Sequence, residues 1–290
     1  MSGIDHLVLA ARDLEAARAR YRALGFTLTP PARHPFGTGN SLVQLDGAFL
    51  ELLSLVAPQD IPEPEGDRFS FAAFNRDYLA TAEGFSMLVL ASDDARRERQ
   101  RMQAAGLATY EPFDFSRRAK LPSGEEVTVG FSLAFTSHPA MPAAGFFYCQ
   151  QHAPQHFWKA EYQRHANTAV AMEEVGLVAD VPGDIAAFMA AFAGREARIL
   201  GGGGAVIDSG RGRITILTPK SFRAYWGFAA AAGHHGARLA AYRLGVADVE
   251  TARHRVEDSG VTAVIERKRI VIAPEHLFGA GLVLAQRGAR

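Results

Sequence analysis

The sequence predicts an α+β protein of tandem β-α-β-β-β modules, four in all, whose sheets form two cup-shaped half-barrels. Three observations predict this. The stretch IDHLVLAARDLEAARARYRALG, residues 4–25, reads as an apolar strand, an acidic turn, an Arg- and Ala-rich amphipathic helix and a glycine stop. FSMLVLASDDARRERQRMQAAG, residues 85–106, repeats that order. After each helix come further short β-rich runs instead of another helix.

The elements follow in order. In the first module Asp13 suits the helix N-cap, and Gly25 suits the left-handed position after the last turn. Strand-like runs then occupy 26–30 (FTLTP), 40–47 (NSLVQLDG) and 48–55 (AFLELLSL). In the second, Asp93 and Asp94 precede the helix and Gly106 ends it, with runs at 108–115, 125–135 and 145–152. A third copy opens at VGLVADVPGDIAAFMAAFAG, residues 175–194, and continues through 197–201, 204–210 and 212–219. A fourth opens at AAYRLGVADVETARHRVEDSG, residues 240–260, and ends through 262–268, 269–274 and 279–286. The Gly run at 201–204 lacks the Lys-Ser/Thr pair and the following helix of a phosphate loop, so it is a turn between strands. The chain divides into a module pair at 1–152, a linker at 153–168 and a second pair at 169–290. Phe157, Trp158 and Tyr162 are packing anchors of the linker.

Composition narrows the function. Of 290 residues, 48% are hydrophobic and 21% charged, which is ordinary for a globular chain with a real core. Lys plus Arg equal Asp plus Glu at 31 each, so no net field recruits nucleic acid or an anionic membrane. The lone Cys149 excludes an intrachain disulfide and fits a reducing cytoplasm. Asp5 interrupts the early apolar run, so no signal peptide is expected, and no run approaches the length of a membrane span. The expectation is a soluble cytoplasmic protein, compatible with a homodimer, whose partner is a small molecule.

Tandem modules of this kind, opened by DHLVLAARDLEAARARYRALGF, resemble the vicinal oxygen chelate superfamily of glyoxalase I, bleomycin-resistance proteins and extradiol dioxygenases. The segments at 34–53 (HPFGTGNSLVQLDGAFLELL) and 146–167 (FFYCQQHAPQHFWKAEYQRHAN) resemble its glyoxalase-like branch. The resemblance covers nearly the whole chain. It implies metal ligands on the first and last strands of a module, positions that His6 and Glu51 match. His6, Val8 and Ala10 alternate onto one face, as do Phe49, Glu51 and Leu53. An imidazole plus a carboxylate is half a donor set for Fe, Mn, Zn or Ni, with no organic cofactor implied. In isolation a strand histidine is more often a hydrogen-bonded core residue than a ligand.

The second module departs from the pattern. Met87 takes the place of His6, and a thioether is a poor ligand for a hard divalent ion. On the last strand Tyr148, Gln150 and His152 share one face. His152 is the better third ligand, Gln150 a substrate contact, and Cys149 packs outside the cup. In RHPFGTGN, residues 33–40, His34 and Asn40 are either members of a polar turn or groups at the cup mouth that bind substrate and relay a proton. Arg117 or Arg118 either anchors a carboxylate or remains a solvated edge charge. Glu51 serves as ligand or as base. Two functions follow: a divalent-metal-dependent lyase, isomerase or dioxygenase acting on a small oxygenated substrate in the N-terminal cup, or a metal-free binding protein of the bleomycin-resistance type. No His or Glu pair is apparent at matching places in modules three and four, so the second cup is structural or a metal-free pocket.

Overall fold

A computed structural model describes residues 3–120 and 126–288 of the chain. The first module consists of β1 (Ile4–Ala10), α1 (Leu14–Ala23), β2 (Ala32–Arg33), β3 (Thr38–Gln44) and β4 (Phe49–Leu55). After α2 (Phe71–Thr81), the second comprises β5 (Gly84–Ser92), α3 (Ala95–Ala104), β6 (Phe113–Lys120), β7 (Glu126–Thr136) and β8 (Gly145–Gln151). The short α4 (Pro154–Phe157) leads to β9 (Ala169–Val178), α5 (Pro182–Ala193), β10 (Ala197–Ile199), β11 (Ala205–Asp208) and β12 (Arg213–Leu217). Then α6 (Pro219–Trp226) precedes β13 (Arg238–Val246), α7 (Val249–Asp258), β14 (Val264–Glu266), β15 (Arg269–Ile272) and β16 (Gly281–Gln286).

Local chemistry sets the helix ends. The side chains of Asp13, Asp94 and Asp248 accept hydrogen bonds from amides in the first turns of α1, α3 and α7. Gly194 closes α5 in the left-handed conformation. The strand expected over 26–30 is absent, since Pro30 lacks an amide hydrogen for a ladder and Pro31 follows it; the short β2 forms instead.

Two eight-stranded sheets have matching order: β2-β3-β4-β1-β5-β8-β7-β6 and β10-β11-β12-β9-β13-β16-β15-β14. In each, two modules join through an antiparallel pair of first strands, β1 with β5 and β9 with β13. Within a module the first strand runs parallel to the last. One apolar cluster spans both halves, from Leu7, Tyr21 and Leu88 to Phe192, Tyr242 and Leu284, and it includes inward residues of α1, α3, α5 and α7. At its centre the hydroxyls of Tyr21 and Tyr242 hydrogen-bond at 2.9 Å. The opposite face of each sheet carries its own cluster, one around Met87 and Phe147 and one around Phe222 and Trp226.

Besides the short α4 of the linker, two helices among the described residues lie outside the repeat pattern. The α2 helix, capped by Ser70, sends Phe71 and Ala72 into the first cup. The α6 helix, with Thr218 as cap and Pro219 in its first turn, sends Phe222 and Trp226 into the second. Trp226 lies so close to Gly176 that a Cβ there would meet the indole at 2.6 Å. The second cup is thus plugged from within.

The connection between halves contains one buried histidine. The Thr27 amide donates to His165 Nδ1 at 3.0 Å, and His165 Nε2 donates to the Gln44 carbonyl at 2.8 Å. Both nitrogens are committed in the neutral ring, and burial holds its pKa below the usual 6.5 despite the Gln44 bond. Below that value the unfolded chain takes up a proton that the folded ring refuses. Stability is therefore full above about pH 6.5 and declines as pH falls toward the folded pKa. The urea midpoint is expected to fall between pH 7.5 and pH 5.5, and His165→Gln to flatten that decline. An equal decline in the variant counts against this assignment.

Candidate functional site

The first cup is built where β1 and β4 lie parallel, His6 opposite Phe49 and Val8 opposite Glu51. Alternation places His6, Val8, Phe49, Glu51 and Leu53 toward the cup. Among the described residues His6, Phe49 and Glu51 line a cavity of about 50 Å³ walled by seven phenylalanines, including Phe36, Phe71 and Phe147. The His6 ring stacks on Phe49 at 4.2 Å and meets the edge of Phe147 at 5.6 Å.

Asp5, which in the sequence only breaks the early apolar run, orients His6. Asp5 Oδ2 lies 2.7 Å from His6 Nδ1, although adjacent strand residues ordinarily face opposite ways. A register shift in the β1–β5 pairing between Ile4 and His6 marks a bulge, which brings both side chains together. The carboxylate accepts the Nδ1 hydrogen, so Nε2 presents its lone pair to Glu51, whose Oε2 is 3.8 Å away. Glu51 Oε1 accepts from Asn40 Nδ2 at 2.5 Å, and the same amide reaches His34 Nε2 at 3.3 Å. His34 Nδ1 contacts Thr38 Oγ1 at 2.8 Å, while its ring stacks on Phe36. The side chains of His6, His34, Asn40 and Glu51 thus meet at one cavity, each nearly buried, although a buried carboxylate costs several kcal/mol unless it is paired.

The expected third ligand, His152, does not face the cup. On β8 the residues facing the cup are Phe147 and Cys149, with Gln151 Nε2 3.5 Å from Asp5 Oδ1. Tyr148, Gln150 and His152 point the other way. Tyr148 donates to the Phe192 carbonyl, and Gln150 Oε1 accepts the first amide of α3, from Ala95. His152 Nε2 lies 2.8 Å from Ser132 Oγ, behind the cavity-lining Phe131 and Leu133. There Ser132 also bonds Asp114, which, with Arg96 assisting, holds that carboxyl below its ordinary pKa. Phe146 and Tyr148 are buried as fully as Phe147 and Cys149, so alternation could not reveal the face, and a one-residue slip exchanges the two sets. Arg117 pairs with Val129 through its backbone, and its side chain lies outside the described part of the structure.

The register also tests a resident metal. His6 and Met87 each lie eight residues before their helix and pair with Phe49 and Gly145. Two residues onward stand Glu51 and, in the second module, Phe147. The second module therefore presents a thioether and a phenyl ring where hard donors would be needed. The nearby Cys149 thiol is pushed up by burial and by the carboxylates of Asp5 and Glu51, which disfavours the thiolate. Among the described residues no set of three His, Cys, Asp or Glu side chains is placed to hold a metal ion. The residues present do not fit a resident divalent metal, which ordinarily takes three or more protein donors.

The matching place in the second cup is occupied by a charge. Glu174 precedes α5 by the same eight residues and is fully buried. It accepts hydrogen bonds from Thr215 Oγ1 and the Tyr225 hydroxyl, and pairs with Arg213 at 3.0 Å and Arg243 at 2.8 Å. Arg243 lies over the rings of Tyr225 and Trp226. The first strand of the third module starts at Ala169, ahead of the expected start at Val175, and so contains Glu174.

Comparison with known proteins agrees with this architecture. A family model described as a glyoxalase-like domain matches residues 4–192. No curated protein matches the sequence significantly. Among solved structures, a hypothetical protein from Staphylococcus aureus has a TM-score of 0.72 at 12% identity, over 99% of this chain and 100% of its own. The Mn(II)-bound glyoxalase from Novosphingobium aromaticivorans has a TM-score of 0.58 at 13% identity, over 99% and 83%. A mutant 4-hydroxymandelate synthase from Streptomyces coelicolor has a TM-score of 0.56 at 13% identity, over 99% and 94%. No helix among the described residues is long and apolar enough to cross a membrane. The match over residues 4–192, with its β-α-β-β-β modules and paired cups, makes this chain a member of the glyoxalase-like domain family within the vicinal oxygen chelate superfamily.

Proposed function

We propose that the N-terminal cup binds a small oxygenated organic molecule and moves a proton on the carbon beside its carbonyl, as a lyase or isomerase does. The observation that carries this reading is the Asp5–His6–Glu51 alignment, with Nδ1 held by Asp5 at 2.7 Å and Nε2 facing Glu51 at 3.8 Å. His6 Nε2 takes the proton as general base, and the imidazolium so formed lies between two carboxylates that favour it. Asn40 fixes one oxygen of Glu51 and leaves Oε2 as the second proton carrier. The phenylalanine walls exclude water and strengthen each of these interactions. No step passes through a metal, because the donor set for one is incomplete.

The aromatic lining also favours a second reading, binding without chemistry, in which ring faces and edges supply affinity. Solvent-deuterium exchange separates the two. In D₂O the protein is expected to exchange protons alpha to the carbonyl in short keto acids, followed by the loss of their proton NMR signals. His6→Ala is expected to slow this by about 10²–10⁴-fold. Binding without exchange selects the second reading.

A further inference from the structure

The cup has a neighbour. A second cavity of about 450 Å³ adjoins it, and Asn40, Leu42 and Phe157 line both. Its charged lining is of one sign: Arg33, Arg118 and Lys159, with His156 beside them. Among the described residues that line it none is acidic. Arg118 lies 3.5 Å from Glu126, which is outside the lining. The inner cavity has the opposite character, since its ionisable groups include Glu51, with Asp5 directly behind His6.

We infer that this outer chamber is an anion-binding vestibule and that the ligand of the cup is an organic carboxylate that enters neutral end first. This rests on the reading of the N-terminal cup as the functional site and deepens it by naming the ligand class. Size and charge give the same orientation. About 50 Å³ accommodates a carbonyl-bearing unit of two or three heavy atoms, so the remainder of any larger ligand lies in the vestibule. A carboxylate beside Glu51 and Asp5 meets like charge in an apolar enclosure, whereas in the vestibule it meets Arg33, Lys159 and Arg118. Arg33 and Arg118 offer forked donors that suit a carboxylate, and Lys159 adds a point charge. Phe157, which packs edge-on against Trp158 at 5.1 Å, stands where the chambers meet and couples ligand entry to the indole environment.

The test uses the full chain, straight-chain keto acids of about four to eight carbons and the matching neutral keto amides, with Trp158 fluorescence as readout. The acids are expected to bind about tenfold more tightly than their amides at low salt, a preference that shrinks at high salt. The double variant Arg33→Ala/Lys159→Ala is expected to lose most of that preference while still binding amides. Equal binding of acids and amides overturns the inference. So does an acid preference that the double variant retains, or a lack of binding by every acid. Deuterium exchange on the same compounds reports the cup separately: acid preference without exchange upholds the vestibule and counts against proton transfer.

Discussion

Glu174→Ala is expected to lower the unfolding free energy by about 3–5 kcal/mol, read as a fall in the urea midpoint at unchanged slope. Glu174 is wholly inaccessible, and Arg243, only 16% exposed, depends on it for a counter-charge. Removing the carboxylate leaves that guanidinium in an apolar site, where its Nε already has no partner, and strips Thr215 and Tyr225 of their acceptor. The cost comes from the stranded cation more than from the lost attraction, so a paired replacement separates the two. Glu174→Leu with Arg243→Met is expected to recover much of the stability, because well-packed apolar residues replace a buried ion pair at little cost. A loss below about 1 kcal/mol in the single variant would show that water or a mobile arginine already screens the site.

The second large effect concerns Asp5. Asp5→Asn keeps the shape of the side chain but presents an amide to His6 Nδ1, where a carboxylate accepted the ring hydrogen at 2.7 Å. An amide N–H directed at Nδ1 selects the other tautomer, placing the hydrogen on Nε2 and removing the lone pair from the cavity. Turnover is expected to fall by about 10²-fold or more while ligand binding changes little. The reading requires that split: a variant that loses binding and turnover together assigns Asp5 a role in folding the bulge, and one that loses neither removes it from the site.

How far the sequence revealed all this depends on how each face is buried. Modules one and two were legible because Asp13, Gly25, Asp94 and Gly106 punctuate helices of ordinary length. His6 and Glu51 were legible because each is polar within an apolar alternation. On β8 the same rule failed, since GFFYC is buried on both faces and its parity carries no signal. Asp5 was hidden because only a bulge turns it to the side of His6. The α2 and α6 helices lie between modules, where the repeat gives no template, although Ser70 and the Thr218–Pro219 pair are readable caps. Glu174 sits in a ten-residue strand, longer than the run from which the module was recognised.

These cups share one scaffold but differ in what fills them. The second has Trp226 and a saturated carboxylate, so it stabilises; the first has a small cavity and an imidazole nitrogen aimed into it. The most direct test of that division is alpha-proton exchange of keto acids in D₂O by protein stripped with chelator. Exchange is expected to persist after stripping, to be unaffected by added Mn(II) or Zn(II), and to be lost in His6→Ala. Exchange that vanishes on stripping and returns with metal in the wild type would contradict that expectation.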